Sequence, residues 1–496
     1  MRESDVFLCV DLGTSFIKTG IYDTDGTCLY GAKVAVRDEK PSPGVVIQRG
    51  EELFASVVSC LKQTVDLAGQ QTAGHIAAMS FTGQMAGFMG VDSEWNDITT
   101  WSCFIDGRYV PYANLQMERF ADRFLLVSGT NAPLMAPKIE WFQTEFPYAS
   151  AKIAKYMMIS SYVIGRLGDL PIEEAVMDHS FLSWTGLGDI VNETWSDEIC
   201  GLVGVAPDKL PRIAKSNEIC GTLSEPMARE LGLKPGIPLV SGAGDKVAGN
   251  VGAGILRPGE AIFEAGTYGA VSILTEDFRP NIVNNYYDVI PAAVSGLYAH
   301  KYIPGSGMTL DWFAENFMAG MEKRQAFAWL EEKVPKISPG CDGLSAVGLL
   351  GGNAMPFDGS IRGSFSGFTW THRAEHFYRA LLESFAYDLA LTVDAVAEQY
   401  PEYTLDRLKI IGGGAKSPAW VQILADVTGR TFERLNREDV ALWGAAILAG
   451  NALGIFPDVQ ATAALHVSVQ EQILPDPKRY AFYRIQVEEY KKQTFR

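Results

Sequence analysis

The chain has 496 residues, 47% of them hydrophobic and 20% charged. That is more than one hydrophobic core normally serves, so two or three folded domains are expected and disorder is not. Forty-two Lys and Arg against 59 Asp and Glu leave a net charge of -17, which argues against a nucleic acid or an anionic membrane as partner.

Seven scattered cysteines with no Cys-x-x-Cys pair suit a reducing compartment better than a disulfide framework. The apolar run Val6 to Val10 is too short for an export signal, and no uncharged apolar stretch reaches the roughly 18 residues of a membrane span. A soluble, cytoplasmic protein is expected.

In chain order, Val6 to Val10 reads as a buried strand. Asp11-Leu-Gly-Thr-Ser15 turns the chain, Phe16 to Tyr22 returns as a second strand, and Asp23 to Gly26 turns again. Leu53, Val57, Leu61 and Val65 mark one face of a helix over Glu51 to Leu67, and His75 to Phe81 reads as a strand. Near mid-chain, Leu256-Arg-Pro-Gly259 is a turn signal and suggests a boundary. Beyond it, Glu260 to Ile273 repeats the strand, Gly-Thr turn, strand theme, so that Glu264-Ala-Gly266-Thr267 echoes Asp11-Leu-Gly13-Thr14.

Late in the chain, Leu408 to Ile411 is a strand and Gly412-Gly-Gly414 a sharp turn. Ser417-Pro418 then reads as an N-cap followed by Pro at the first helical position. Trp420, Val421, Ile423, Leu424 and Val427 form that helix's buried side, and Gly429 ends it. A terminal helix is expected over about 478–492, with Tyr480, Tyr483, Val487 and Tyr490 on one side. Strand and helix alternate in both halves, the pattern of α/β domains.

Two places can carry chemistry. Gly13 lets a backbone approach a phosphate, Thr14 and Ser15 add hydroxyls, Lys18 is near, and Asp11 could hold Mg²⁺. The same residues would also make a plain hairpin. In Pro238-Leu-Val-Ser-Gly-Ala-Gly-Asp245-Lys246 an apolar strand delivers an acid to its own end. Asp245 is then either a helix cap or a base facing a ligand at an open strand end. Gly412 to Ser417 lacks the Walker A spacing, and Gly242-Ala-Gly244 lacks the third glycine of a dinucleotide motif.

Taken in order, these motifs resemble the FGGY family of carbohydrate kinases, within the actin/hexokinase-like ATPase superfamily. Asp11-Leu-Gly-Thr is similar to the first phosphate motif and Gly266-Thr267 to the second. Gly242-Ala-Gly-Asp245 resembles the segment holding the general base, and Gly412 to Pro418 the adenosine motif. Lys138-Ile-Glu-Trp141 and Gly363-Ser-Phe-Ser-Gly367 resemble the two family signatures. On the substrate side the chain looks most like xylulokinases, through Ser80-Phe-Thr-Gly-Gln84-Met85-Ala-Gly87 and Asp106-Gly-Arg108. Ala86 stands where those enzymes carry a His, and Lys246 where they carry Asn.

The resemblance implies two ribonuclease-H-like, actin-like α/β domains with an interdomain active-site cleft. Residues 1–256 would bind the sugar and carry the base. Residues 257–496 would bind ATP, and the last helix could pack back on the first domain. It further implies phosphoryl transfer from MgATP to a sugar hydroxyl, with Asp245 as base and Asp11 orienting Mg²⁺. Gln84, Met85, Asp106, Arg108 and Lys246 are the expected sugar contacts. Gly13, Thr14, Ser15, Lys18, Gly266, Thr267, Gly412, Gly413, Gly414, Ala415 and Ser417 are the expected ATP contacts.

D-xylulose is the leading substrate. Another ketose, a polyol or an aldonate such as gluconate is the alternative, Lys246 hinting at an acid group. A sugar-independent actin-like or chaperone-like ATPase is the rival of another class. The family also admits a homodimer.

Overall fold

A computed structural model describes residues 5–355 and 357–494. The chain divides into two compact units. The first holds the residues up to Leu256 together with Val289–Leu297 and Asp439–Val467; the second holds Arg257–Asp288, Tyr298–Glu438 and the chain from Ser468 on.

In the first unit, β1 (Val6–Leu12), β2 (Phe16–Tyr22), β3 (Cys28–Ala35), β4 (Ile76–Gly83), β5 (Ile219–Thr222) and β6 (Pro238–Gly244) form one sheet in the order β5-β6-β4-β1-β2-β3. The middle strands β6, β4 and β1 are parallel, while β1-β2, β2-β3 and β5-β6 are antiparallel. Phe7, Leu8, Cys9 and Val10 are all fully buried, as a parallel strand covered on both faces requires. The expected helix runs Gly50–Ala73, with Leu53, Val57, Leu61 and Val65 buried.

The second unit repeats the plan. β7 (Ala261–Ala265), β8 (Gly269–Thr275), β9 (Leu297–Ile303), β10 (Arg407–Ile411), β11 (Thr431–Leu435) and β12 (Val469–Ile473) lie in the order β9-β8-β7-β10-β11-β12. Here β7, β10 and β11 are parallel and the β7-β8 hairpin antiparallel. The four-residue echo between Asp11 and Glu264 therefore sits on two sheets of the same design, each acid on the first strand of a hairpin whose other neighbour is a parallel strand.

The terminal helix, Pro477–Thr494, packs within the second unit on the helices Ala374–Gln399 and Pro418–Thr428. Tyr483 fixes it there by donating to Glu383 Oε1 at 2.7 Å and accepting from Arg379 at 2.9 Å. The segment that returns to the first unit is instead Asp439–Val467. Its helix Val440–Ala452 lies against the helix Asp245–Gly252 so closely that a Cβ on Gly444 would be 1.9 Å from the Ala248 carbonyl oxygen. Only glycine allows that approach.

Candidate active site

The carboxyl ends of β1, β4 and β6 form a single edge. Asp11 pairs with Thr82, and Thr82 with Ala243; one residue on, Leu12 pairs with Gly83 and Gly83 with Gly244. Asp245 comes directly after and opens the helix Asp245–Gly252. Asp11 and Asp245 thus flank β4 at the edge where open parallel sheets bind ligands. With about 4.8 Å between strands, their strands lie roughly 10 Å apart.

Backbone geometry aims the second acid. The pairing of β6 with β4 slips between Val240 and Ala243, and Gly242 sits there at φ 69° against the Phe81 carbonyl, where a Cβ would lie 1.7 Å from oxygen. Such a bulge bends the strand and re-aims the residues beyond it. Gly244 N–H then donates to Ser180 Oγ at 3.0 Å. Ser180 N–H is in turn held by Asp178 Oδ1 at 2.9 Å, and Ser216 donates to Asp178 Oδ2 at 2.8 Å. Asp245 Oδ1 accepts from the Lys246 backbone N–H at 2.8 Å, and Lys246 Nζ stands 3.9 Å from Oδ2. The Asp245 side chain remains 35% exposed, while that of Lys246 is only 15% exposed. The acid is open to a ligand and has a cation beside it.

At Asp11, Lys18 Nζ lies 3.4 Å from Oδ2. Gly13 closes the hairpin so tightly that a Cβ would sit 2.7 Å from the Phe16 carbonyl oxygen. The turn is cradled by its neighbours: Gln48 donates to Thr14 O at 3.0 Å and Val36 N–H to Ser15 O at 3.0 Å. Those bonds spend carbonyls and leave Ser15 exposed in the turn, with Lys18 exposed on β2 behind it.

Gln84 and Met85 come immediately after β4. Met85 packs onto Gly244, its Cγ 2.4 Å from where a Cβ would be, so any larger residue before Asp245 would displace it. Gln84 is buried and accepts from Trp101 Nε1 at 3.3 Å. Its Nε2, and the hydroxyl of Thr82, are buried without a protein partner among the described residues. Unmet donors at a strand edge are what an acceptor hydroxyl would satisfy.

Asp106 and Arg108 differ from open sugar contacts. Asp106 is fully buried, and Arg108 grips it through Nε at 2.9 Å and Nη2 at 2.7 Å, with Ser102 Oγ donating at 2.6 Å. Burial pushes its carboxyl up, but Arg108, Ser102 and Lys138 together hold it below the usual carboxylate range. Asp106 is therefore a buried strut. Arg108, stacked over the Trp141 ring at 4.6 Å and partly exposed, is the member able to reach outward.

In the second unit the Gly266-Thr267 turn is fastened by the helix Ser306–Phe317: Gly307 N–H donates to Gly266 O at 3.1 Å and Met308 N–H to Thr267 O at 3.0 Å. Glu264 pairs with Ile411, which puts the Gly412 turn beside Gly266. Gly412 has φ 90°, and its Cβ would lie 2.7 Å from Ala265 O. Gly414 is pressed on Trp420, while Gly413 faces open space. Ala415 is buried. Ser417 caps the next helix by accepting from Trp420 N–H and donates to Glu331, so its hydroxyl is already engaged. Lys416 points away to Glu438 at 2.7 Å, in keeping with the failed Walker spacing.

The N-terminal domain of the FGGY family of carbohydrate kinases matches residues 6–252, and its C-terminal domain matches residues 266–453. The chain belongs to that family. This carbohydrate kinase is a phosphotransferase acting on a sugar hydroxyl, and kinases of the family use ATP, normally with Mg²⁺.

The kinase is 26% identical to the xylulose kinase of Bacillus subtilis (strain 168) over 491 residues, 97% of this chain and 95% of the relative. It is 27% identical to the gluconokinase of the same strain over 466 residues, 90% of this chain and 87% of the relative. In structure it is similar to gluconate kinase from Lactobacillus acidophilus (TM-score 0.87, 21% identity, 99% of this chain and 98% of that one) and to ligand-bound xylulose kinase from the same organism (TM-score 0.88, 21% identity, 99% and 97%). The actin-like, two-domain α/β fold expected from the sequence is the one found.

Thr82, Ser180, Trp101 and Lys138 were not singled out as site residues by sequence reasoning. The signal for Thr82 was there, a polar residue between apolar neighbours at the end of a buried strand. Ser180 gave none, since its bond to Gly244 spans 64 residues.

Proposed function

We propose that the enzyme transfers the γ-phosphoryl group of MgATP to a hydroxyl of a small sugar, with D-xylulose the leading acceptor. The observation that carries this reading is Asp245, partly exposed at the strand edge, with the unmatched Gln84 donors one residue beyond the neighbouring strand. Asp245 accepts the acceptor's hydroxyl proton as its oxygen bonds to phosphorus and the bond to ADP breaks. Gln84 and Arg108 orient the acceptor, Met85 shapes the wall, and Asp106 holds Arg108.

On the nucleotide side, Gly13, Thr14, Ser15 and Lys18 meet phosphate oxygens, as do Gly266 and Thr267. The bend at Gly412, Gly413 and Gly414 with Ala415 lies along the nucleoside, and Ser417 supports it as a cap. Asp11 fits a hydrated ion: one carboxylate of low exposure next to a phosphate turn is what Mg²⁺ bound to a nucleotide uses. When bound, Mg²⁺ supplies charge neutralisation between phosphates; Asp11 contributes its orientation.

Lys246 favours a second acceptor class. Its side chain is mostly buried, with the ammonium 3.9 Å from Asp245 Oδ2, where a carboxylate on an aldonate such as gluconate would meet it, and gluconokinases are among the similar enzymes. An ADP-release assay with ketoses, polyols and aldonates tests both readings. Acceptor-dependent turnover, fastest with D-xylulose, is expected; preference for gluconate selects the second. ATP consumption indifferent to every acceptor would overturn both in favour of a sugar-independent ATPase.

A further inference from the structure

Lys138 lies in the helix Met135–Glu145 and is completely buried. Its Nζ donates to Ser102 Oγ at 2.9 Å, Cys103 O at 2.9 Å and Asp106 O at 3.1 Å. Three acceptors from one loop thus converge on one ammonium with three protons, and the Tyr109 ring covers it at 4.1 Å. No apolar residue could hold that loop without stranding the acceptors in the interior.

The loop so held leads to the acceptor side of the site. Cys103 pairs with Gly87, and Trp101 fits against Gly87 so closely that a Cβ there would lie 2.5 Å from its ring. Trp101 Nε1 reaches Gln84 Oε1, which orients the amide whose other end has no protein partner among the described residues. At the loop's far end, Asp106 grips Arg108. The hydrogen bonds of Lys138 go to Ser102, Cys103 and Asp106, in the loop that also carries Trp101 and Arg108.

We propose that Lys138 is a positioning residue for the acceptor: it pins the 101–108 loop so that Gln84 and Arg108 stand ready to bind the sugar. This rests on the acceptor assignment made above. Bond counting adds a pH dependence. The neutral amine has two protons for three acceptors, so one bond is lost when Lys138 deprotonates. Burial pushes its pKa down to about 7. The groups facing it are Asp106, which favours the ammonium, Arg108, which opposes it, and the Cys103 thiol and Tyr109 phenol, both held protonated by burial. Acceptor binding should therefore weaken as pH rises through neutrality.

Steady-state kinetics of the full-length enzyme and of Lys138→Met between pH 6 and 8.5 test this. The wild type should show acceptor KM rising several-fold across the range. Lys138→Met should show acceptor KM about tenfold higher at pH 6, flat with pH, with ATP KM and kcat within about threefold of wild type. Should Lys138→Met fail to fold, Ser102→Ala removes one of the three acceptors and should raise acceptor KM alone, roughly threefold. Unchanged acceptor KM in the recovered variant, or acceptor and ATP KM rising together, overturns the proposal. A wild type that turns over no acceptor at all removes the kinase reading beneath it, which is a different result from a working kinase with a silent Lys138.

Discussion

Asp11 and Asp245 stand at one edge of one sheet with a single strand between theirs, tied through Thr82 by the pairings Asp11 to Thr82 and Thr82 to Ala243. In the proposed reaction two acids so placed, one beside the Gly13 turn and one beside unmatched donors, divide into a metal-orienting group and a base.

For the first of these, Asp11→Asn keeps the shape and removes the charge. Half-maximal activation should need several-fold more Mg²⁺, with little change in acceptor KM. A magnesium titration of initial rate checks it, and an unchanged titration would count against the assignment.

Ser180 accepts the N–H of Gly244, the residue before Asp245. In Ser180→Ala that buried N–H loses its partner, at about 1–3 kcal/mol. We expect kcat to fall about tenfold through misplacement of Asp245, with both KM values nearly unchanged. A loss expressed in thermal stability with kcat intact would make Ser180 merely structural.

The close crossing of the helices Asp245–Gly252 and Val440–Ala452 leaves no space at Gly252, where a Cβ would lie 1.9 Å from Val440 O. Gly252→Ala should destabilise the fold by about 1–3 kcal/mol, read in calorimetry as a lower Tm. Neutrality would mean that the two helices separate readily.

His179 links pH to stability. Its Nδ1 faces Ala214 O at 3.3 Å and Asp178 Oδ2 at 3.3 Å, and its Nε2 faces Ala292 O at 2.9 Å. Burial disfavours the imidazolium, but Asp178 and the Ala292 carbonyl outweigh it, so the folded pKa is raised above 6.5. A raised pKa means that the stabilisation is complete below the unfolded value near 6.5 and fades as pH rises through the folded value. Tm should decline over that window in the wild type and less so in His179→Gln. Equal slopes would contradict the account.

Local motifs were legible in the sequence because local rules place them. The Asp11-Leu-Gly-Thr hairpin, the Gly-Ala-Gly-Asp245 strand end and the Ser417-Pro418 cap formed as their residue types require, and the helix expected from Glu51 to Leu67 lies within Gly50–Ala73, which kinks at Gly69 just past the expected end. Long-range partners were not legible. The sequence leads one to expect that Asp106 contacts the sugar or shapes its pocket, and nothing in Asp-Gly-Arg announces Ser102 and Lys138 beneath it. Ser417 read as a nucleotide contact, but Glu331, 86 residues earlier, takes its hydroxyl. The late return of Asp439–Val467 to the first unit has no local signature either, since it depends on glycines meeting across two helices.

The central claim is that Asp245 takes the proton from the acceptor hydroxyl. Acceptor-dependent ADP release by Asp245→Asn, set beside ATP binding by the same protein, tests it most directly. A general base contributes about 10²–10⁴-fold, so the rate should fall by that factor or more while ATP binds within a few-fold of wild type. Turnover within a few-fold of wild type would contradict the claim.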